Sequence, residues 1–183
     1  MLSIKSKISA LAVAFLLAAS TAMAASNTST KDDVNFQTAK QIRKQILKLP
    51  YYGVFDNIAF DVKGDTVTLY GQVVRPTTKS DAARRVAKVE GISNVVNNIE
   101  VLPLSNFDDG IRVQAYRAVF SKGGLSRYAA GINPDLHIIV KNGNVTLEGV
   151  VASQGDKNLA NLAASGVSGV FSVTNNLRIE HKS

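Results

Sequence analysis

The chain has no cysteine, no tryptophan, four prolines and two histidines among its 183 residues. Without cysteine there is no disulfide framework, no zinc–cysteine site, no thiol nucleophile and no thiol for a lipoprotein-type anchor, so the fold is expected to rest on packing alone. The two histidines, His137 and His181, have no partner at a metal-ligand spacing such as H-x-x-x-H. A G-x-S-x-G elbow and a phosphate loop are also missing. "SKGG" at 121–124 has the glycines but not the required spacing, and reads as a helix terminator followed by a loop. Of the neighbouring carboxylates, Asp61 and Asp65 bracket a turn, and Asp108 or Asp109 is placed to cap a helix. No catalytic residue, metal or cofactor is expected, and an enzyme is the weakest class the sequence supports.

Long apolar runs are scarce too. The one at the start, Ala10 to Ala19, follows Lys5 and Lys7 and precedes Ala22-Met23-Ala24. That is the order of a secretory signal peptide over residues 1–24, and the run is too short for the ~20 residues of a membrane-spanning helix. Cleavage after Ala24 is expected, leaving a soluble exported chain that begins at Ala25. The formal charge is +7, and +5 once Lys5 and Lys7 are removed. Such a balance often accompanies nucleic-acid binding, but export and the even spread of the cations argue against that partner. They leave anionic lipid or other envelope polymers.

What the chain does contain is a repeat. "VKGDTVTLYG" at 62–71 returns as "VKNGNVTLEG" at 140–149, a shift of 78 that holds without a gap from Gly53 to Val101. Val95, Asn97, Asn98, Ile99 and Val101 thus fall on Val173, Asn175, Asn176, Leu177 and Ile179. Each copy reads as one supersecondary unit. Ile58, Phe60 and Val62 alternate with Ala59, Asp61 and Lys63, and Val67, Leu69, Gly71 and Val73 with Thr68, Tyr70 and Gln72, and Gly64-Asp65 or Asn142-Gly143 supplies a hairpin turn. After Pro76 and Thr77 a helix is expected over Ser80 to Val89, with an Asp81–Arg85 pair. Its buried stripe is Ala82, Val86 and Val89 in the first copy, and Leu159, Leu162 and Ala163 in the second. A third strand follows, with Val95, Ile99 and Val101 inward. Asn97 shares that face, and a bond to the backbone near the strand start is its available role. A covering helix with Ala39, Ile42, Ile46 and Leu49 on one side precedes the first hairpin and ends at Pro50. The expected fold is α+β: two tandem α-β-β-α-β units, each a three-stranded mixed sheet covered on one face by two helices. The expected boundaries are a disordered segment 25–34, domain 1 at 35–103, a linker at 104–108 and domain 2 at 109–181.

A duplicated α-β-β-α-β unit behind a signal peptide resembles the BON-domain family of bacterial envelope proteins. The residues that carry the resemblance are "VKGDTVTLYGQV" and "VKNGNVTLEGVV", the closing "GISNVVNNIEV" and "GVSGVFSVTNNLRIE", and the glycines Gly71, Gly149, Gly91 and Gly169. The resemblance implies a non-enzymatic periplasmic protein that contacts phospholipid membranes and supports envelope integrity or stress protection. A chaperone-like protein-interaction module is the alternative. It supplies no catalytic residues; Gly71 and Gly149 read as a bulge or a close helix–strand approach. One branch of the family is lipid-anchored, and the absent cysteine departs from it. The oligomeric state is not readable.

The copies differ most in their first helix. Lys40, Arg43, Lys44 and Lys48 lie opposite the apolar stripe in copy one, an ordinary covering helix. In copy two Ile111, Ala115, Ala118 and Val119 form one stripe, and Val113, Tyr116 and Phe120 a second, flanked by Arg112 and Arg117. The longer loop "SKGGLSRYAAG" adds Lys122, Leu125, Arg127 and Tyr128. One sheet can bury one stripe. The other either docks on domain 1 or meets a partner, and the partners that fit are an anionic membrane surface or an apolar segment of an envelope client protein.

Overall fold

The computed structural model describes residues 22–131 and 133–180. Residues 1–21 of the expected signal peptide and His181 lie outside them. The chain divides into two units, Met1–Phe36 and Gln37–Ser183, and the packing below concerns the second. The first helix, α1, runs over Ala22–Leu47. The segment 25–34, expected to be disordered, is therefore helical: no glycine or proline stands anywhere between Ala22 and Leu47 to stop a helix.

Each copy then folds in the same way. In the first, β1 (Asn57–Lys63) and β2 (Thr66–Val73) pair antiparallel, and α2 (Pro76–Val86) leads to β3 (Asn94–Asn97) and β4 (Glu100–Val101), both parallel to β2. In the second, α3 (Asn106–Phe120) and a 3-10 turn (Leu125–Ala129) precede β5 (Leu136–Lys141) and β6 (Asn144–Val151). Then α4 (Gln154–Ser165), β7 (Ser172–Asn175) and β8 (Arg178–Ile179) repeat the pattern. The registers correspond at the shift of 78: Leu69 faces Asn97 as Leu147 faces Asn175. The architecture is α+β, with two mixed sheets.

Gly71 and Gly149 have φ of 112° and 123°, and a Cβ there would stand 2.1 Å from the Asn57 carbonyl oxygen and 2.0 Å from that of Asp135. The close approach expected at these glycines is thus to the backbone of the neighbouring strand, not to a helix. The third strand is one strand in two pieces, and asparagine breaks it. Asn97 Nδ2 donates to the Lys79 carbonyl at 2.9 Å and its Oδ1 accepts from Ile99 N at 3.3 Å. Asn175 makes the same pair of bonds to Lys157 and Leu177. The amide thus makes the expected local backbone bond, just ahead of β4, and in addition ties the helix to the third strand. It lets Ile99 and Leu177 turn into the core, where both are buried.

Several local readings are corrected. α2 begins at Pro76, whose fixed φ suits the first turn of a helix, rather than at Ser80, and Asp81 pairs with Arg84, not Arg85. In α4 the buried residues are Ala160, Ala163 and Ala164, while Leu162 is 71% exposed and Leu159 only half-buried. Helical spacing favoured the leucines, but at the shift of 78 Ala160 and Ala164 fall on buried Ala82 and Val86, and Leu162 on Arg84. α3 starts inside the expected linker, capped by Ser105, which accepts from Asp108 N at 3.1 Å. Asp108 itself is buried and accepts instead from Asn142 N and Gly143 N, at 2.9 and 2.8 Å. It holds the β5–β6 turn, where Asn142 and Gly143 both have positive φ. The core of copy two is complete around Leu136, Ile138, Leu147 and Leu177. In copy one Ile58, Leu69 and Ile99 are buried but Phe60 is only half-buried.

The loop Tyr52–Asp56 joins the two copies. Ile138 N donates to the Val54 carbonyl at 2.7 Å, so this loop lies along the outer edge of β5. Asp56 shapes it by accepting from Gly53 N at 3.0 Å and Val74 N at 2.8 Å. His137, in outward phase on β5, is buried rather than free. Its Nδ1 lies 3.2 Å from the Gly53 carbonyl, and its ring stacks at a tilt on Tyr52, centroids 5.5 Å apart. Lys141 reaches Glu100 of β4 at 2.6 Å.

Two predictions come from this packing. Asn97→Ala or Asn175→Ala removes the tie to the helix carbonyl and leaves the N–H of Ile99 or Leu177 without its acceptor, and each is expected to cost ~1–3 kcal/mol in urea denaturation. A change within ~0.5 kcal/mol would show that the amide is not holding the two elements. The second concerns acid. Burial lowers the His137 pKa below 6.5, against hydrogen bonds to the backbones of Gly53 and Asp56 and the charge of Asp135, while Arg43 adds to the lowering. A depressed imidazole pKa means that the undocked state takes up the proton first. The docking energy from this site is therefore present above pH ~6.5 and is lost as pH falls below it. Exchange of the Ile138 amide should speed up between pH 7 and 5, after correction for intrinsic rates, and much less so in His137→Gln. Asp56, raised by burial, titrates in the opposite sense but is common to both proteins. Equal pH dependence in the two would remove His137 from the account.

Candidate lipid and partner surface

The nine residues singled out on α3 and its following loop separate once folded. Helix α3 turns Ile111, Ala115 and Val119 into the core of copy two, as its first stripe requires. Arg112 is not at the surface. Only 4% exposed, it pairs with Asp109 and donates from Nη2 to the Val140 carbonyl at 2.8 Å. Its place on the helix looked solvent-facing because the loop covering the β5 edge comes from the other copy. Leu125 and Tyr128 are buried as well. Leu125 fills the core, and Tyr128 Oη accepts from Ala152 N at 2.8 Å and donates to Asp156 at 3.0 Å. Arg127 stacks on the Tyr128 ring, 4.7 Å from its centroid, and pairs with Asp156 at 2.7 Å. Asp156 is held below its ordinary carboxyl pKa, first by the Ser153 hydroxyl and then by Tyr128 and Arg127. Tyr128 and Arg127 thus fix the 3-10 turn to α4; Leu125 and Tyr128 are removed from the contact surface, while Arg127 stays exposed with its charge paired.

The second stripe is shared. Phe120 is buried, its ring 4.9 Å from that of Tyr116, and Phe55 from the first copy meets Tyr116 edge-on at 6.3 Å. Docking thus uses the inner part of the stripe. Val113, Tyr116, Arg117 and Lys122 remain exposed. Next to them a shallow hollow of about 520 Å³ is lined by Tyr116, Arg117, Phe120, Ser121, Ser126, Ala129 and Ala130. The arrangement places an aromatic floor beside exposed cations.

A second surface was missed in the sequence. Leu104 is 97% exposed, and Phe107 and Phe171 are 53% and 74% exposed with ring centroids 6.1 Å apart. The two rings stand at the β5–β6 turn, since a Cβ on Gly143 would meet both. The available signal was the repeat itself: at the shift of 78, Phe171 falls on Ser93. Among the described residues no group of three histidine or acidic side chains could hold a metal ion. No helix among them is long and apolar enough to cross a membrane.

Comparison with known proteins bears on the fold more than on the surface. No curated protein matches the chain. Among solved structures, the C-terminal domain of CdsD, a structural protein of the type III secretion system of Chlamydia trachomatis, aligns at 12% identity and a TM-score of 0.32. The alignment covers 78% of this chain and 96% of that one. A second structure of CdsD aligns at 11% identity and a TM-score of 0.28, covering 79% and 92%. The BON domain description matches twice, over residues 35–103 and 126–181. Two matches in tandem, over two copies of one α-β unit with the same register, place this chain in the BON domain family.

Proposed function

We propose that this is a non-enzymatic protein, exported to the periplasm, that contacts anionic phospholipid through the exposed face of α3 and the loop after it, in support of envelope integrity under stress. The observation that carries the reading is the hollow of about 520 Å³ floored by Tyr116 and Phe120 with exposed Arg117 and Lys122 beside it. Aromatic and apolar side chains gain by entering the headgroup layer, and each cation near an anionic surface adds ~1 kcal/mol. The Ala22-Met23-Ala24 site supports export. A chaperone-like interaction with envelope proteins is the second reading. The exposed Leu104, Phe107 and Phe171 favour it, because an apolar patch suits a protein segment as well as lipid.

Co-sedimentation with phosphatidylglycerol-containing vesicles separates the two. Arg117→Gln with Lys122→Gln should weaken binding by roughly tenfold or more at low salt, and added salt should mimic the loss. Tyr116→Ser should weaken it further. Arg112→Gln, by contrast, should lower stability, since its guanidinium is buried. Phe107→Ser with Phe171→Ser should leave vesicle binding intact and reduce suppression of a model client's aggregation. Vesicle binding untouched by the Arg117, Lys122 and Tyr116 changes would overturn the membrane reading.

A further inference from the structure

The two copies treat one sheet edge differently. A two-residue turn makes Lys141 and Asn144 the closing hydrogen-bonded pair of β5 and β6, and such pairs alternate along an antiparallel ladder. The backbone groups of Ile138 and Val140 therefore point away from β6, to the outer edge. Both edge groups that the fold reaches are taken: Ile138 N–H by the Val54 carbonyl at 2.7 Å, and the Val140 carbonyl by Arg112 at 2.8 Å. Ile138 and Val140 are completely buried beneath this closure.

The first copy has the same register, with Lys63 and Thr66 as its closing pair, so Phe60 and Val62 present their backbone groups outward from β1. Ile58 N–H is taken by the Tyr52 hydroxyl at 3.4 Å. Beyond it, no described residue bonds the N–H of Phe60 or the carbonyl of Val62. When the covering helices are aligned on their buried residues, Ile42 with Ala115 and Ile46 with Val119, Ala39 stands where Arg112 does. The residue that closes the edge in copy two is thus replaced by one with no donor. Phe60 and Val62 are half-buried where Ile138 and Val140 are covered. The edge carries no proline or bulge, and only Lys63, paired with Asp61 at 3.4 Å, guards its end.

We propose that the outer edge of β1 at Phe60–Val62 binds an extended polypeptide segment as an added strand, with apolar side chains at alternate positions. The occupant is argued from the other copy, where the same edge is met by a polypeptide segment, the Gly53–Asp56 turn, whose Val54 carbonyl takes the outward Ile138 N–H; on β1 the matching Phe60 N–H and Val62 carbonyl stand in strand register, which an extended segment satisfies. Charge narrows it further. Arg43 is exposed and aligns with Tyr116, the residue that meets Phe55 on the closed edge, so a segment with an acidic residue at that point fits best. This interaction goes beyond the membrane reading and does not rest on it.

The test uses a synthetic eight-residue peptide of alternating valine and threonine with one glutamate, titrated into the protein and followed by amide hydrogen exchange. Saturable binding that protects the Phe60 and Val62 amides is expected. Val62→Pro removes an outward N–H without touching the β1–β2 ladder, and should weaken binding by about fivefold or more. Ala39→Arg, which imports the closing residue of copy two, should weaken it similarly even if the proline variant is unstable. A lysine in place of the peptide's glutamate should also bind less well. Absent binding, binding that leaves the Phe60 and Val62 amides unprotected, or affinity unchanged by Ala39→Arg would overturn the proposal. Protection of the same amides by self-association without peptide would overturn it in favour of a second copy of this chain.

Discussion

The hydrogen bond from Ile138 N–H to the Val54 carbonyl brings the backbone of one copy onto the strand edge of the other, and the neighbouring contacts of His137 and Tyr116 are arranged around it. An exposed strand edge offers unpaired backbone groups, and a buried one leaves them uncompensated, at a cost of ~1–3 kcal/mol each. The Tyr52–Asp56 loop removes that cost for β5, and it comes shaped for the task. Asp56 accepts two backbone N–H groups within and beside the loop, and the Tyr52 hydroxyl accepts a third. Once the loop is in place, His137 is buried beneath Tyr52, and Phe55 lies against Tyr116. The extra apolar stripe of α3 then has a cause: its inner part exists for the first copy's loop, and only its outer part is left for anything else.

Polar groups reach the same end by a costlier route. Arg112 and Asp108 are both buried on α3, and a buried charge is tolerable only when hydrogen bonds replace its hydration. Asp108 replaces it with two N–H groups of the Asn142–Gly143 turn, and Arg112 with Asp109 and the Val140 carbonyl. Arg112 Nε is left without a partner, a residual cost of closing the edge from the helix side. Between them these side chains fix the hairpin to the helix at its turn and along its edge. Among the described residues no charged side chain does this in the first copy, where the aligned position of Arg112 is Ala39.

The repeat, the hairpin turns and the inward phase of the strands were legible because each is a local pattern read twice. The repeat also contained more than local spacing did. Leu162 looked like core by helical period, yet its partner at the shift of 78 is Arg84, and it is exposed. Pro76 read as a break because it precedes the apolar stripe, although proline is well suited to a first helical turn. The contact surface was only partly legible: Val113, Tyr116, Arg117, Lys122 and Arg127 are exposed, whereas Arg112, Leu125 and Tyr128 are not. Those three are removed from the surface by partners distant in sequence, at Val140, in the second core and at Asp156. A helical wheel has no term for a residue whose outer side is covered by another element.

The asymmetry between the copies has a directional cause. The segment that closes β5 lies just ahead of β1 in the chain, at Gly53–Phe55, and a segment that feeds directly into a strand cannot also lie beside that strand's edge. Apart from the Tyr52 hydroxyl, which takes Ile58 N–H at the start of β1, the first copy's loop therefore serves the edge of the second. In this chain the first copy gives its loop to the second, so the β5 edge is met from within, while no described residue bonds the Phe60 N–H or the Val62 carbonyl. Half-burial of Phe60 and Val62, set against full burial of Ile138 and Val140, is the energetic trace of that arithmetic. Duplication thus yields two copies with the same fold but different surfaces, and the difference follows from which edge the Gly53–Phe55 loop meets and from Ala39 standing where Arg112 does.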